Sequence, residues 1–313
     1  MTHRPAPPQL HGRPYLTDAG CETDIIFNRG TEIREFAAHT LLEDARGRGV
    51  LADYYRGFLQ LAAQMNVGMV LDAPTWKAHP YWADDLGVSA SELEQANRDA
   101  VAFSRSLRDE FSGEGQPIAI NGLVGPRGDA YTPEALLASR EAEAYHATQV
   151  KWLADSGVDM VTALTFTQSD EAIGVVRAAD AVGVPVVVSF TVETDGTLPT
   201  GETLGSAIES VDAATGGAAA YFMVNCAHPD HIVGVIDDSA WSGRIEGLRC
   251  NASRQSHAEL DAAEVLDDGD PVAFAEGYLE LSAVLPSLNV FGGCCGSDLR
   301  HVTEVARTLL ATG

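Results

Sequence analysis

The sequence predicts a single (β/α)8 barrel, an α/β fold in which eight parallel strands close into a TIM barrel surrounded by helices. Short apolar runs alternate with longer helical patterns along the chain, and eight such runs match the strand number of this barrel. The alternative is an open doubly wound sheet, but no Gly-x-Gly-x-x-Gly motif follows the first run. The 313 residues suit one barrel, since such domains commonly have about 250 residues or more. We therefore expect a single domain over residues 1–313, with residues 1–11 forming a flexible N-terminal segment.

Each predicted strand is an apolar run that ends in a turn or polar residue, as expected for strands buried in a parallel sheet. The fifth run shows this best, because three valines at 186–188 follow Pro185, and a proline is tolerated at the start of a strand. The eight predicted strands are Tyr15–Asp18, Val67–Asp72, Ile118–Leu123, Val158–Phe166, Val184–Val192, Ala220–Asn225, Ile245–Cys250 and Asn289–Gly292.

The helical patterns between these runs carry recognisable start and stop signals. One helix is predicted to begin at Thr132, which can cap it, followed by Pro133 and Glu134 in the first turn. The glutamate there favours the positive end of the helix dipole. The same helix should end near Gly157.

Three of the five cysteines follow predicted strands. Cys226 directly follows the sixth, and the glycine-flanked pair Cys294 and Cys295 follows the eighth. Because the carboxyl ends of barrel strands share one mouth, where barrel enzymes place their active sites, the three sulfurs should meet there. Three thiolates can bind zinc and leave its fourth position for a substrate, which predicts a catalytic metal site; the alternative is buried cysteine in the core.

Other polar side chains follow predicted strands at the same mouth, and we expect them to contact substrate. Any one of them could instead cap a loop or form a turn. These residues are Asp18, Glu22, Asp72, Thr75, Asn121, Glu193 and Asn251. Trp76, with Tyr81 and Trp82, offers aromatic faces that either bind a cation or cover the rim of the barrel.

The charge of the chain limits its partners. A net charge of −25 and a pI near 4.5 argue against binding to nucleic acid or to an anionic membrane. The chain has no apolar run of membrane-spanning length and no apolar stretch of signal-peptide type near its start, so we expect a cytoplasmic protein. An odd number of cysteines fits a reducing compartment. The outer helices of a barrel also offer surfaces for a homo-oligomer.

Four segments together carry a resemblance to a known family. They are Asp18–Gly20, Asn121–Pro126, Asn225–Cys226 and Gly292–Gly296, of which the cysteine segments are the most specific. With them the chain resembles the homocysteine S-methyltransferase family, over about residues 12–310. That family includes betaine–homocysteine and S-methylmethionine–homocysteine methyltransferases and the homocysteine domain of cobalamin-dependent methionine synthase.

The resemblance implies a zinc barrel in which the thiolate of homocysteine attacks an electrophilic methyl group and becomes methionine. Cys226, Cys294 and Cys295 would be the zinc ligands, and Asp18 would contact the amino acid end of homocysteine. The methyl donor would be a small sulfonium or quaternary ammonium compound. One position departs from the family, because Leu164 stands where many members have a glutamate that holds the amino group of the substrate.

A leucine cannot accept a hydrogen bond from an ammonium group. Either another carboxylate replaces the missing one, with Glu193 as the first candidate, or the acceptor is a thiol other than homocysteine. Two other classes of function stay open from the sequence. One is a zinc-dependent hydrolase or lyase on the same barrel, and the other is a non-catalytic protein that zinc stabilises.

Overall fold

The computed structural model of the chain describes residues 7–113, 115–130 and 136–310. Eight parallel strands form a closed barrel in sequence order. The barrel closes where β1 pairs with both β2 and β8, so that Tyr15 lies opposite Gly68 on one side and Val290 on the other. The predicted (β/α)8 fold is therefore confirmed, and the doubly wound alternative is wrong because an open sheet has no such closure.

Each strand lies within or next to the apolar run that predicted it, with ends that differ by at most two residues. The strands are β1 Tyr15–Leu16, β2 Gly68–Ala73, β3 Ile118–Val124, β4 Met160–Phe166, β5 Val186–Phe190, β6 Phe222–Asn225, β7 Ile245–Cys250 and β8 Val290–Gly293. They are buried almost throughout, because helices cover the outer face and side chains fill the inner one.

Helices and single turns connect the strands. The α-helices of the described residues are α1 Cys21–Thr23, α2 Ala45–Gln64, α3 Ala83–Leu86, α4 Ala90–Glu110, α5 Ser139–Asp155, α6 Ser169–Val182, α7 Leu204–Thr215, α8 Pro229–Val233, α9 His257–Asp261, α10 Pro271–Val284 and α11 Leu299–Leu310. Shorter 3-10 or π turns lie at Pro8–His11, Asp24–Asn28, Arg34–Phe36, Ala38–Glu43, Pro80–Trp82 and Ser242–Arg244. Nowhere in the described ranges does a helix combine the length and the apolar character that crossing a membrane requires.

The predicted helix before β4 corresponds to α5. Its expected start at Thr132 to Glu134 lies outside the described residues, and the described helix begins at Ser139 after an extended Ala138. Its predicted end is confirmed, since α5 stops at Asp155 and Gly157 adopts a φ of +80° that favours glycine.

The amino-terminal end of the barrel is closed by residues that we expected to be flexible. Pro8–His11 form a 3-10 turn, and the side chain of Gln9 is fully buried. Its Nε2 donates to the hydroxyl of Tyr221 at 2.8 Å, and Asn289 donates to its backbone carbonyl. Residues 8–11 therefore pack against the barrel at this end, and the flexibility of residues 1–11 stays a prediction.

Candidate active site at the carboxyl end of the barrel

The three predicted cysteines lie together at the carboxyl-terminal mouth. Cys226 directly follows β6, while Cys294 and Cys295 directly follow β8, and the three sulfur atoms lie within 4.8 Å of one another. The sulfurs of Cys226 and Cys295 are 3.9 Å apart. Cys226 and Cys294 are joined as a disulfide, with their Cα atoms 5.4 Å apart. Segments 68 residues apart in sequence thus form one sulfur cluster, because both strands end at the same rim.

The backbone of Cys226 has an uncommon conformation that its neighbours hold in place. Its φ is +53°, a left-handed value that residues other than glycine rarely adopt. Its carbonyl accepts hydrogen bonds from Nε2 of His257 at 2.7 Å and from Nδ2 of Asn251 at 3.1 Å. Asn251 was expected to contact substrate. The structure places it against this carbonyl, and it does not line the cavity that opens at this mouth.

The glycines beside the cysteine pair are required by close packing. At Gly292, a Cβ atom would lie 2.7 Å from the carbonyl oxygen of Asp18, which is too close for real atoms. Gly296 has a φ of +78°, and a Cβ there would lie 2.7 Å from the carbonyl oxygen of Asp267. The segment after β8 can therefore pack against the Asp18 and Asp267 segments only because these two positions carry no side chain.

A buried arginine occupies the centre of the mouth. Arg249 on β7 donates hydrogen bonds to the carboxylates of both Asp18 and Asp72, and its Nε donates to the carbonyl of Gly293 at 3.2 Å. Asp72 also accepts a hydrogen bond from Nδ2 of Asn121 at 2.7 Å. Three residues expected to contact substrate, Asp18, Asp72 and Asn121, thus belong to a charged network that joins β2, β3, β7 and β8 to the exit of β1.

This network perturbs the ionisation of its members. Burial raises the pKa of Asp18 to about 8, and the guanidinium of Arg249 opposes that rise. The hydroxyl of Tyr54 donates to the same carboxylate at 3.2 Å. The two carboxylates raise the pKa of Arg249 far above its usual range, despite the opposing effect of burial, so the arginine keeps its charge. The carboxylate of Asp18 thus already accepts hydrogen bonds from two side chains of the protein, those of Arg249 and Tyr54.

A cavity of about 430 Å³ opens above the sulfur cluster. Some of the predicted site residues line it, and the others lie behind its wall. The lining includes Asp18, Glu22, Trp76, Cys226, Cys294 and Cys295. Outside the lining lie Asp72, Thr75, Asn121, Glu193 and Asn251. Thr75 is fully buried, and its hydroxyl donates to the carbonyl of Leu123 at 2.7 Å, so it joins β2 to β3.

Two of the three predicted aromatic residues face this cavity. The ring of Trp76 lines it, and its Nε1 donates to the carbonyl of Leu164 at 2.9 Å, which fixes the orientation of the indole. Trp82 also lines it, but Nζ of Lys77 lies 3.9 Å from its ring centroid, so one face already has a cation. Tyr81 packs edge-on against Trp82 at the rim, outside the lining. Of the two rings that line the cavity, that of Trp76 has no cation from the described residues over it.

Glu193 lies behind Cys226. Its Oε1 is 3.1 Å from Nδ1 of His257, whose Nε2 faces the carbonyl of Cys226. Both ring nitrogens of His257 thus lie within hydrogen-bonding distance of oxygen atoms, one on Glu193 and one on Cys226. The glutamate therefore supports the backbone of a cysteine in the cluster.

Neither Arg249 nor His257 was predicted from the sequence to belong to the site. A signal for Arg249 was available, since an arginine interrupts the apolar run of the seventh predicted strand, and a charge inside a barrel strand needs a partner. His257 gave no comparable signal, because it follows Ser256 at the start of a short helix with a capping box.

Comparisons with known proteins agree with this architecture. A family model described as homocysteine S-methyltransferase matches residues 15–309. The structure is similar to crystal structures of the homocysteine methyltransferase MmuM from Escherichia coli, with 16% sequence identity in each case. The oxidised form has a TM-score of 0.75 and covers 96% of this chain and 97% of MmuM. The metallated form has a TM-score of 0.74, with 95% and 97% covered. No curated protein matches this chain in sequence. At this identity the structural likeness shows the fold.

Proposed function

Because the chain belongs to the homocysteine S-methyltransferase family and is a methyltransferase, we propose that it is a zinc-dependent homocysteine S-methyltransferase. The methyl group would come from a small sulfonium or quaternary ammonium donor, and the product would be methionine. The alternatives of a zinc-dependent hydrolase or lyase and of a non-catalytic zinc-stabilised protein do not agree with this family and are wrong.

The cluster of Cys226, Cys294 and Cys295 at the mouth is the observation that carries the proposal. Among the described residues it is the one group of three or more potential metal ligands close together. Zinc binds thiolate sulfur at about 2.3 Å, and sulfurs around one tetrahedral zinc are then about 3.8 Å apart. The separation of 3.9 Å between the sulfurs of Cys226 and Cys295 fits that requirement. Reduction of the disulfide between Cys226 and Cys294 supplies the remaining thiolates.

Three protein ligands are typical of a catalytic zinc site, which leaves one position for a substrate. When bound, zinc would lower the pKa of the acceptor thiol, so that a thiolate exists at neutral pH. In the transfer, a sulfur lone pair forms the new bond to the methyl carbon. The bond from that carbon to the donor breaks, and the donor leaves uncharged with the bonding electrons.

The residues of the chain would bind and orient both substrates. The face of Trp76 is suited to a cationic donor, and it favours the donor before transfer over the neutral product after it. The cavity volume of about 430 Å³ is within the usual range of small-molecule sites. Leu164 and Phe36 contribute apolar walls that keep water from the reacting atoms. A cytoplasmic location and a homo-oligomeric state stay predictions.

A methyl-transfer assay tests the proposal. Reduced protein loaded with zinc would be incubated with homocysteine and, in turn, betaine, S-methylmethionine or S-adenosylmethionine, and methionine detected by mass spectrometry. We expect turnover with at least one donor. Cys294→Ala should lose both zinc, measured by elemental analysis, and turnover, whereas the control Cys250→Ala should keep both. No turnover with any donor, or turnover by zinc-free protein, would refute the proposal.

A further inference from the structure

An acceptor that is an amino acid thiol brings an ammonium group into the cavity, and this group needs a carboxylate as its partner. An ammonium taken out of water needs a charged partner, because an unpaired buried charge is strongly unfavourable. Leu164 lines the cavity with an aliphatic side chain and supplies only its carbonyl, which already accepts from Trp76. The partner must therefore be another acidic residue in the lining.

Four acidic residues of the described chain line the cavity, namely Asp18, Glu22, Asp129 and Asp267. Asp18 is held by Arg249 and Tyr54. The carboxylate of Asp267 accepts from the hydroxyl of Ser253 at 2.6 Å and from the backbone of Gly269 at 3.2 Å.

Two further carboxylates are unsuitable for other reasons. Asp129 is exposed to solvent at the outer rim, where pairing is weak. Glu193, the first candidate from the sequence, lies outside the lining and is paired with His257.

Glu22 differs from all of these. It is half-buried in the lining, and no other residue of the described chain donates a hydrogen bond to its carboxylate. Burial raises its pKa, while its own backbone amide, Arg249 and Lys77 act in the opposite direction. Both cations have other partners, since Arg249 binds Asp18 and Asp72, and Nζ of Lys77 donates to the carbonyl of Glu35 at 2.9 Å.

The position of Glu22 is fixed relative to the sulfur cluster. It lies in α1, and the residues on either side of it are hydrogen-bonded to the segment that carries the cysteine pair. The backbone amide of Gly296 donates to Thr23 Oγ1 at 3.2 Å, and that of Gly20 donates to the carbonyl of Ser297 at 3.2 Å. A Cβ at Gly20 would lie 2.6 Å from the carbonyl of Cys294, so the two segments are in direct contact.

We propose that Glu22 binds the ammonium group of the acceptor and so sets the preference of the enzyme for an amino acid thiol. This inference rests on the proposed function and names a specificity residue for it. The ammonium of homocysteine would donate to the Glu22 carboxylate while its thiol occupies the sulfur cluster.

The test compares homocysteine with 4-mercaptobutanoate, which has the same chain length and carboxylate but no ammonium group. In Glu22→Gln we expect kcat/KM for homocysteine to fall about tenfold to a hundredfold relative to that for 4-mercaptobutanoate. The matched control is Glu193→Gln, which should change both thiols by the same factor because it acts through the backbone of Cys226. Zinc content should be unchanged in Glu22→Gln.

Binding measured by calorimetry provides a readout that does not need turnover. The zinc-loaded protein should bind homocysteine more tightly than 4-mercaptobutanoate, and Glu22→Gln should remove most of that difference. An unchanged preference in Glu22→Gln, in turnover or binding, would overturn the inference. So would a rise in donor KM with both thiols, which would assign Glu22 to the donor. Absence of turnover in the wild type, with the binding preference intact, would refute only the proposed function.

Discussion

Replacement of Arg249 by methionine tests the charged network directly. Arg249 is 5% exposed, Asp18 is 2% exposed and Asp72 is fully buried. The substitution keeps much of the side-chain volume but removes the donors to both carboxylates and to the carbonyl of Gly293. Two buried acidic groups are then left without their shared cation.

The expected loss follows from that geometry. Removing one partner of a buried ion pair typically lowers the free energy of unfolding by about 3 to 5 kcal/mol, because the remaining charge stays buried. That is a large part of the roughly 5 to 15 kcal/mol that stabilises an ordinary domain. The double variant Arg249→Met with Asp72→Asn should regain about 2 kcal/mol or more, since only one carboxylate then lacks its partner.

The loss should also depend on pH. In Arg249→Met, the pKa of Asp18 loses the opposing effect of the guanidinium and rises above about 8. A carboxyl whose pKa is higher in the folded than in the unfolded state takes up a proton on folding. Its contribution to stability therefore improves as pH falls, by up to about 1.4 kcal/mol per pH unit for each group. The deficit relative to the wild type should be larger at pH 9 than at pH 6.

Urea unfolding of the reduced, metal-free proteins, followed by circular dichroism, measures these differences. Metal-free protein is used because bound zinc would add its own stabilisation. If the single and double variants unfold at the same urea concentration at both pH values, the three side chains are not energetically coupled, and the reasoning fails.

Three other substitutions give separate tests. Gly296→Ala should lower the free energy of unfolding by about 3 kcal/mol, and Gly183→Ala by about 1 kcal/mol. Both glycines have a positive φ, but only at Gly296 would the new Cβ lie 2.7 Å from a backbone carbonyl oxygen. Equal losses in urea unfolding would contradict this packing. His257→Leu should weaken zinc binding about 10- to 100-fold in chelator competition, since it removes a donor to the carbonyl of Cys226, and an unchanged affinity would show that this hydrogen bond does not support the site. Trp76→Leu should raise the donor KM about 3- to 30-fold with a smaller change in kcat; an unchanged donor KM would mean that the ring only covers the rim.

The barrel was predictable from the sequence because its signal is local. A strand such as Val186–Phe190 is buried on both faces, so nearly every residue in it is apolar, and a valine run after Pro185 reports that directly. The cysteine cluster was predictable for a related reason. Once the strand order is known, Cys226 and the pair after β8 must share one rim.

The roles of the polar residues were less predictable because their partners are distant in sequence. Arg249 is 231 residues from Asp18 and 177 from Asp72, and no local pattern indicates that these three meet. The same applies to Glu193, which is 64 residues from His257. Which strand exits face the cavity, and which face a neighbour, depends on side-chain directions that spacing does not give.

The network explains why the carboxylate available to a substrate is not the one the sequence favoured. Asp18 and Asp72 both bind Arg249, and Glu193 binds His257, so each of these acids is part of the support for the mouth. Freeing Asp18 or Asp72 for a ligand would leave the buried Arg249 without one of its partners, at a cost of several kcal/mol. Freeing Glu193 would remove a contact of the histidine that supports the backbone of Cys226. Glu22 faces the cavity and does not take part in this network. It can therefore bind and release a cation without disturbing the barrel. Because Asp18, Asp72 and Glu193 hold the mouth and Glu22 alone among these acids binds the substrate, the sulfur cluster stays in place during turnover.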